Sequence, residues 1–130
     1  MKQNIEHRNS KGQSHRENGP ADIYYYENGN KNYEAYYLNG QRHRTNGPAI
    51  INYYENGNKE YEYYYLNNQH HRTNGPAIIH YYENGNKKRE EYYLNNLKLE
   101  DWCEKYNILY EQKYIIDNLE KIYKIYSIFK

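Results

Sequence analysis

The sequence predicts a mainly β fold with a C-terminal α-helical part: an open antiparallel sheet of three 28-residue hairpin repeats, capped by one or two helices. The first supporting observation is the motif His-Arg-x-Asn-Gly-Pro-Ala, which begins at His15, His43 and His71, an interval of 43 − 15 = 71 − 43 = 28 residues. Self-similarity at a fixed interval of this size is typical of repeat architectures. The second is a β-type pattern followed by Asn-Gly in each copy. The third is a change to helical periodicity after residue 98.

The chain therefore divides into three parts within what we expect to be one domain. A polar N-terminal arm precedes the repeats, and it has two interpretations, a loose segment or a degenerate first half-repeat. The predicted parts are the arm (1–14), three tandem repeats over 15–98 (15–42, 43–70 and 71–98) and a helical cap (99–130).

The first strand of each repeat is predicted from its β-branched and aromatic residues. In the second repeat, Ala49, Ile51 and Tyr53 point to one face and Ile50 and Asn52 to the other, since side chains alternate along a strand. The other two repeats follow the same pattern. We therefore expect one consistently apolar face and one mixed face.

The Asn-Gly pair after the first strand, at 28–29, 56–57 and 84–85, predicts a hairpin with a type I′ turn. A second turn signal ends the second strand, at 39–40, 67–68 and 95–96. We favour one hairpin per repeat, because an odd number of strands would reverse equivalent strands in neighbouring repeats. The His-Arg-x-Asn-Gly-Pro segment is then a crossing loop or a bulged continuation into the next first strand. Its prolines suit a strand start or a bulge, where a missing amide donor does no harm.

The cap is predicted from two features after residue 98. Glu100 and Asp101 suit the first turn of a helix. Further along, apolar residues recur at three- and four-residue steps, at Ile115, Leu119, Ile122, Tyr126 and Phe129. We expect these helices to cover the exposed edge of the last hairpin, as repeat arrays require. A partner-binding or dimerising helix is the alternative.

Residues that recur at equivalent positions are expected to build the repeat. Each His-Arg pair would pin its own turn, through hydrogen bonds to the Asn-Gly-Pro backbone and stacking on a neighbouring tyrosine. The alternative is a ladder that grips a phosphate or carboxylate polymer, because arginine offers such groups a planar fork. The predicted structural positions are His15, Arg16, Gly19, Pro20, Gly29, His43, Arg44, Gly47, Pro48, Gly57, His71, Arg72, Gly75, Pro76 and Gly85.

The chain has 21 tyrosines and a single phenylalanine. Because tyrosine has an apolar body and a polar tip, these residues can fill a thin core or present a protein-binding surface. A stacking platform for nucleic acid is disfavoured, since Glu27, Glu55 and Glu83 lie among the aromatic residues and would repel phosphate. The residues predicted for an interaction surface are Tyr36, Tyr54, Tyr64, Tyr82 and Tyr92.

No catalytic residue, cofactor or metal site is predicted, so we expect a protein that is not an enzyme. The sequence has no Gly-rich phosphate loop, no Ser/His/Asp order and no His-Glu-x-x-His. His70, His71 and His80 make a poor metal set, because the adjacent pair would face opposite sides of a strand. Cys103 is expected to be a buried structural thiol.

The composition also suggests where the protein acts. A formal net charge of +1 gives no overall basic field for nucleic acid or membranes. No window approaches the roughly 18 apolar residues of a transmembrane segment, and the first residues lack the apolar run of a signal peptide. We expect a cytoplasmic or virion-associated protein that is not secreted. Lys121, Lys124 and Lys130 leave peripheral membrane contact open.

The lattice Tyr-Tyr-Glu-Asn-Gly followed by Tyr-Tyr-Leu-Asn-Gly, over about residues 15–102, resembles MORN-type repeats (membrane occupation and recognition nexus). It is similar in particular to repeat proteins of bacteria, phages and large DNA viruses whose units begin His-Arg-x-Asp/Asn-Gly-Pro-Ala. The interval of 28 residues is longer than that of ordinary MORN units. The resemblance implies rows of β-hairpins and a role in scaffolding, self-association or lipid contact, or as an antitoxin.

These observations lead to the hypothesis of a non-enzymatic interaction or scaffold module that acts through a tyrosine-rich sheet surface. Its partner would be another protein, including a second copy joined at the open N-terminal edge. The alternatives are a nucleic-acid or lipid-headgroup binder that uses the His-Arg ladder, and a MORN-like antitoxin.

Overall fold

The computed structural model describes residues 2–128. Within them the chain forms short strands first and helices last. In chain order the strands are β1 (Ile5–Glu6), β2 (Asp22–Tyr25), β3 (Lys31–Ala35), β4 (Tyr37–Leu38), β5 (Gln41–Arg42), β6 (Ile50–Tyr53), β7 (Lys59–Tyr63), β8 (Tyr65–Leu66), β9 (Gln69–His70), β10 (Ile78–Tyr81), β11 (Lys87–Glu91), β12 (Tyr93–Leu94) and β13 (Leu97–Lys98). The helices are α1 (Leu99–Lys105), α2 (Gln112–Asp117) and α3 (Leu119–Ser127).

The main sheet has seven antiparallel strands in the order β1-β2-β3-β6-β7-β10-β11. It is open, with β1 and β11 at its edges. Each repeat supplies one long hairpin to it, and equivalent strands recur at the 28-residue interval. The predicted fold class, an open antiparallel sheet of hairpin repeats with a helical C-terminal region, is confirmed.

Each repeat also contains a second, short hairpin that the sequence analysis missed. The pairs are β4–β5, β8–β9 and β12–β13. Gln41–Arg42 and its equivalents, for which no strand was predicted, are therefore strands, and the segment that follows them begins at the repeat histidine. The strand count per repeat is four, which is still even, so equivalent strands of neighbouring repeats keep the same direction.

The type I′ turn predicted for the first turn of each repeat is found at the second turn instead. At the first turn, the Gly29 amide donates to the Tyr26 carbonyl (3.0 Å), and of the two residues Asn28 and Gly29 only the glycine has positive φ (+89°). This is the three-residue hairpin loop with a bulged glycine, not a type I′ turn. Asn28 keeps negative φ while its side chain accepts a hydrogen bond from the Asn30 amide (2.9 Å). The second turn has positive φ at both central residues, as a type I′ turn requires, at Asn39-Gly40, Asn67-Asn68 and Asn95-Asn96.

The face predicted to be consistently apolar instead alternates isoleucine with glutamate. Strand pairing aligns one row across the sheet, Ile23, Glu34, Ile51, Glu62, Ile79 and Glu90. Glu34 and Glu62 are only 7 % and 6 % exposed. Each accepts a hydrogen bond from a tyrosine of the following repeat, Tyr53 or Tyr81, and each forms an ion pair with the lysine three residues before it. Burial is tolerated because both carboxylates are paired.

The N-terminal arm pairs with the first repeat in a manner similar to the second half of a repeat. β1 pairs with β2, and Arg8 forms a β-bridge with Ser14. The His7 amide donates to the Ala21 carbonyl (2.7 Å), as the Tyr36 amide donates to the Ala49 carbonyl (2.7 Å). The N-terminal edge predicted to be open is therefore partly covered by β1.

The cap contains three helices rather than one or two, because Asn118 separates α2 from α3. Its amide donates to the carbonyls of Tyr114 and Ile115, and its side chain donates to the Tyr114 carbonyl (2.9 Å). The cap core contains Leu94, Leu99, Trp102, Cys103, Ile108, Ile115, Leu119 and Ile122. Of the predicted stripe, Ile115, Leu119 and Ile122 are buried, Tyr126 packs against them, and Phe129 lies outside the described residues.

The helices pack on the last short hairpin rather than on the edge of the main sheet. Leu94 is fully buried in the cap core, and Tyr92 and Leu97 pack against that core. Residues 87–90 of β11 remain exposed. The predicted covering of the last hairpin therefore applies to the short hairpin alone.

Candidate functional site

The repeat histidines tie together the two ends of their own repeats. Nδ1 of His15 accepts a hydrogen bond from the Asn39 amide (2.9 Å), and His43 does the same for Asn67 (3.0 Å). His71 repeats the contact with Asn95 (3.0 Å). Since Nδ1 acts as the acceptor, it carries no proton. Each imidazole thus fixes the type I′ turn of its own repeat.

The repeat arginines join one repeat to the next. The Arg44 guanidinium carbon lies 3.9 Å from the centre of the Tyr36 ring, in the preceding repeat, and Arg72 lies 4.0 Å from Tyr64. Nη1 of Arg44 also donates to the Pro48 carbonyl (3.1 Å), within its own loop. The arginines thus make the ring stacking and the loop hydrogen bond that were expected of the His-Arg pairs, whereas the histidines bond to the second turn instead.

The glycines of the His-Arg-x-Asn-Gly-Pro loops leave room for the arginine guanidinium, which lies against them. A Cβ added to Gly47 would lie 2.8 Å from Cζ of Arg44, and one added to Gly75 would lie 2.8 Å from Cζ of Arg72. Gly19 has the same relation to Arg16, at 2.9 Å. Gly29, Gly57 and Gly85 have a different cause, since they lie at positive φ in the bulged turns.

Further contacts between repeats involve the first turns. The Tyr26 hydroxyl donates to the Tyr53 carbonyl (2.6 Å), and Tyr54 donates to the Tyr81 carbonyl (2.7 Å). In the first two repeats, the side-chain amides of two turn asparagines donate to one glutamate carbonyl of the next repeat, Glu55 or Glu83. We call the third set of these donors, Tyr82, Asn84 and Asn86, the terminal junction donors.

The five tyrosines predicted for an interaction surface do not form one surface. Tyr36 and Tyr64 lie under arginines, and Tyr54 is engaged in the contact with the next repeat. Tyr92 packs against the cap core. Tyr82 alone of the five is widely exposed (51 %).

A different set of residues forms a partly exposed aromatic row on the sheet. Tyr24, Tyr33, Asn52, Tyr61 and His80 are cross-strand neighbours on β2, β3, β6, β7 and β10. We call this set the tyrosine surface. Its ring centres lie 5.5 Å apart for Tyr24–Tyr33 and 5.7 Å apart for Tyr61–His80. All five residues are partly exposed.

The tyrosine surface is neutral, with carboxylates along part of its border and Arg89 beside His80 at its β11 end. Tyr24 donates to Glu6 (2.9 Å), which raises the pKa of its hydroxyl, and Asn52 donates to Glu60. Burial raises the pKa of Tyr61. Burial also lowers the pKa of His80, so its imidazole is neutral at neutral pH. Sequence reasoning missed this row because its members meet only through strand register.

The polar notches of the structure lie between successive His-Arg loops. Two equivalent notches, of about 430 and 400 Å³, are lined in part by His43 and Arg44 and by His71 and Arg72. An apolar cavity of about 440 Å³ lies in the cap beside Cys103 and Ile108. Burial raises the pKa of the Cys103 thiol.

Among residues 2–128, no cluster of three or more His, Cys, Asp or Glu side chains has the arrangement of a metal site. No helix in the same range has the length and apolar character needed to cross a membrane. Comparisons with protein-family models, with curated proteins and with solved structures find no match to this chain.

Proposed function

We propose that this protein is a non-enzymatic interaction or scaffold module that binds another protein through its tyrosine surface. The observation that carries the proposal is the alignment of Tyr24, Tyr33, Asn52, Tyr61 and His80 on five adjacent strands, all partly exposed. A rigid sheet holds these aromatic side chains in place before any partner arrives, so little side-chain entropy is lost on binding. Aromatic residues are the anchors that protein interfaces favour.

The electrostatics of the row favour a protein partner over nucleic acid. Glu6 and Glu60 accept hydrogen bonds from the row and place carboxylates beside the rings. A stacking platform for nucleic acid needs a basic groove, which these carboxylates oppose. The alternative phosphate ladder is weakened as well, because Arg44 and Arg72 lie on tyrosine rings and donate to their own loops. The antitoxin hypothesis differs only in the partner, which would be a toxin protein.

The test is capture of a partner from the native cells, followed by size-exclusion chromatography with light scattering. The variant Tyr24→Ser/Tyr33→Ser removes one interacting tyrosine pair from the surface. The matched control Tyr110→Ser/Tyr114→Ser removes another pair, whose ring centres lie 5.1 Å apart in the cap. We expect the captured partner to be lost in the first variant and kept in the control, with both variants folded by circular dichroism. A strict monomer that retains no protein would overturn the proposal, as would equal capture by both variants.

A further inference from the structure

The last strand of the sheet differs in chemistry from its counterparts in the other repeats. β3 reads Lys-Asn-Tyr-Glu-Ala and β7 reads Lys-Glu-Tyr-Glu-Tyr, whereas β11 reads Lys-Lys-Arg-Glu-Glu. Only the first lysine and the glutamate of the isoleucine row are common to all three. β3 and β7 each pair with strands on both sides, and β11 pairs with β10 alone among the strands of residues 2–128. The charged residues thus appear where the sheet stops.

The outer side of β11 has hydrogen-bonding groups that point away from β10. The Glu91 carbonyl accepts from the amide of Ala77 (2.9 Å), the residue just before β10, so the backbone carbonyl of Glu91 points towards β10. Because backbone direction alternates along a strand, Glu90 and Tyr92 point outward. In the preceding repeat the equivalent Tyr64 amide donates outward, to the Ala77 carbonyl (2.8 Å). The terminal junction donors lie at the same edge, and no acceptor for their side chains is found among residues 2–128.

The backbone of this edge therefore resembles that of β3 and β7 at the inner junctions, where one repeat pairs with the next through β3–β6 and β7–β10. The strand that would fit beside β11 in the same way is β2 of a second copy. The inner junctions give the register: Ala35 lies opposite Ile50, and Tyr63 lies opposite Ile78. At the same register, Glu91 would lie opposite Asp22 of the second copy. Directly opposed like charges destabilise strand pairing. Head-to-tail joining of this kind does not close and would produce filaments.

The other end of the sheet is protected by a matching arrangement. Asp22 is 6 % exposed and forms an ion pair with Arg8 (2.7 Å), and β1 covers β2 at this point. A second copy would have to displace β1 and bring Glu91, which is paired with Arg89 (3.0 Å), against a carboxylate that has lost its own arginine. Charged residues, lysine above all, are a common protection of edge strands against pairing.

From these observations we infer that Lys88, Arg89 and Glu91 form an electrostatic stop, which keeps the backbone-competent edge of β11 from pairing with β2 of a second copy. The stop prevents a second copy from extending the sheet beyond β11. The stop and the tyrosine surface meet at Arg89, the cross-strand neighbour of His80, but the stop acts on strand pairing at the edge and the tyrosine surface lies on a face of the sheet.

The test gives β11 the sequence of β7 through the variant Lys88→Glu/Arg89→Tyr/Glu91→Tyr. We expect the natural protein to stay unassociated through this edge, and the variant to form oligomers that grow between about 10 µM and about 1 mM protein, measured by light scattering. Adding Asp22→Ile, the residue of β6 at this register, should strengthen the association further.

Two controls distinguish strand pairing from nonspecific association through exposed tyrosines. Glu104→Tyr/Lys105→Tyr adds two tyrosines at exposed positions of α1, and it should leave the mass unchanged. Glu90→Pro added to the associating variant removes an outward amide, so it should restore the smaller species. A folded variant that stays unassociated across the whole concentration range would overturn the proposal. Oligomers that also form in the α1 control, or that survive Glu90→Pro, would overturn it as well.

Discussion

At the scale of single residues, two groups of glycines serve different purposes although both recur at every repeat. Gly57 lies at positive φ (+93°), whereas Gly47 leaves room for the Arg44 guanidinium. Gly47→Ala should push Arg44 from the Tyr36 ring and cost about 1–2 kcal/mol of the free energy of unfolding, the sum of a cation–π contact and hydrogen bonds. Urea denaturation measures this loss.

A double-mutant cycle supplies the control for Gly47→Ala. In the Arg44→Ala background the guanidinium is gone, so the added methyl group has nothing to displace. The second substitution should then cost much less than it does in the natural protein. Equal costs in the two backgrounds would show that the glycine acts through its backbone instead.

The buried glutamates give a second prediction at this scale. Tyr81→Phe removes the hydroxyl that donates to Glu62 and leaves a buried carboxylate short of a partner. The free energy of unfolding should fall by about 1–3 kcal/mol. Tyr25 occupies the same repeat position, but its hydroxyl has no acceptor among the described residues, so Tyr25→Phe should be nearly neutral. Similar losses for the two variants in urea denaturation would contradict the proposed role of Glu62.

Two histidines predict how stability changes with pH. Burial, with Arg42 nearby, lowers the pKa of His70, and burial, with Arg89 nearby, lowers that of His80. Nδ1 of His70 is buried with no hydrogen-bond partner within residues 2–128. The unfolded chain, with histidine pKa values of about 6.5, binds these protons first. The contribution of the two neutral histidines to the free energy of unfolding is therefore complete above about pH 6.5. It is lost as the pH falls through the lower pKa values that the histidines have in the folded state.

We therefore expect the free energy of unfolding to fall as the pH is lowered from about 7 to about 5. His70→Gln/His80→Asn, which places at position 80 the residue found at Asn52, should make this fall smaller. Urea denaturation at a series of pH values measures both slopes. An unchanged slope in the variant would assign the pH dependence to other groups.

At the scale of elements, the hairpins and the helical stripe could be predicted from local patterns. The interval between the histidines predicted the repeated long hairpins, and the spacing of Ile115, Leu119 and Ile122 predicted the helical cap. The short hairpins were missed because two-residue strands such as Gln41–Arg42 carry no alternation that a sequence can show. The type I′ prediction for the first turn was wrong because the Asn28 side chain accepts a hydrogen bond within its own loop. The tyrosine surface depends on cross-strand register, which hairpin geometry sets and composition does not.

The cap gives a prediction at the scale of elements. Trp102 is 1 % exposed and its ring lies close to Tyr106, Tyr123 and Tyr126. Trp102→Ala should reduce the free energy of unfolding by about 3–5 kcal/mol, because a large buried side chain leaves a cavity. Denaturation followed by circular dichroism measures the loss. Leu109→Ala, at a residue that is 88 % exposed in the same cap, is the control and should change little.

At the scale of the whole molecule, contacts join each repeat mainly to its neighbours, so a disturbance should weaken along the row. In Trp102→Ala, amide hydrogen exchange should accelerate most in β12–β13, less in β8–β9 and least in β4–β5. Mass spectrometry of exchanged peptides resolves the three segments. Uniform acceleration would mean instead that the array unfolds as a single cooperative unit.

The tie between each histidine and its own turn has a consequence for how such a chain can lengthen. His43 closes onto Asn67 inside one unit, while Tyr26 and Tyr54 reach the following unit through the same atoms each time. A duplicated segment inserted between the second and third units would find both neighbours already shaped to receive it. A unit added after the third would have to pair with β11, whose charged residues do not suit pairing. Recombination can therefore extend this gene product from its middle, while the two termini stay as they are.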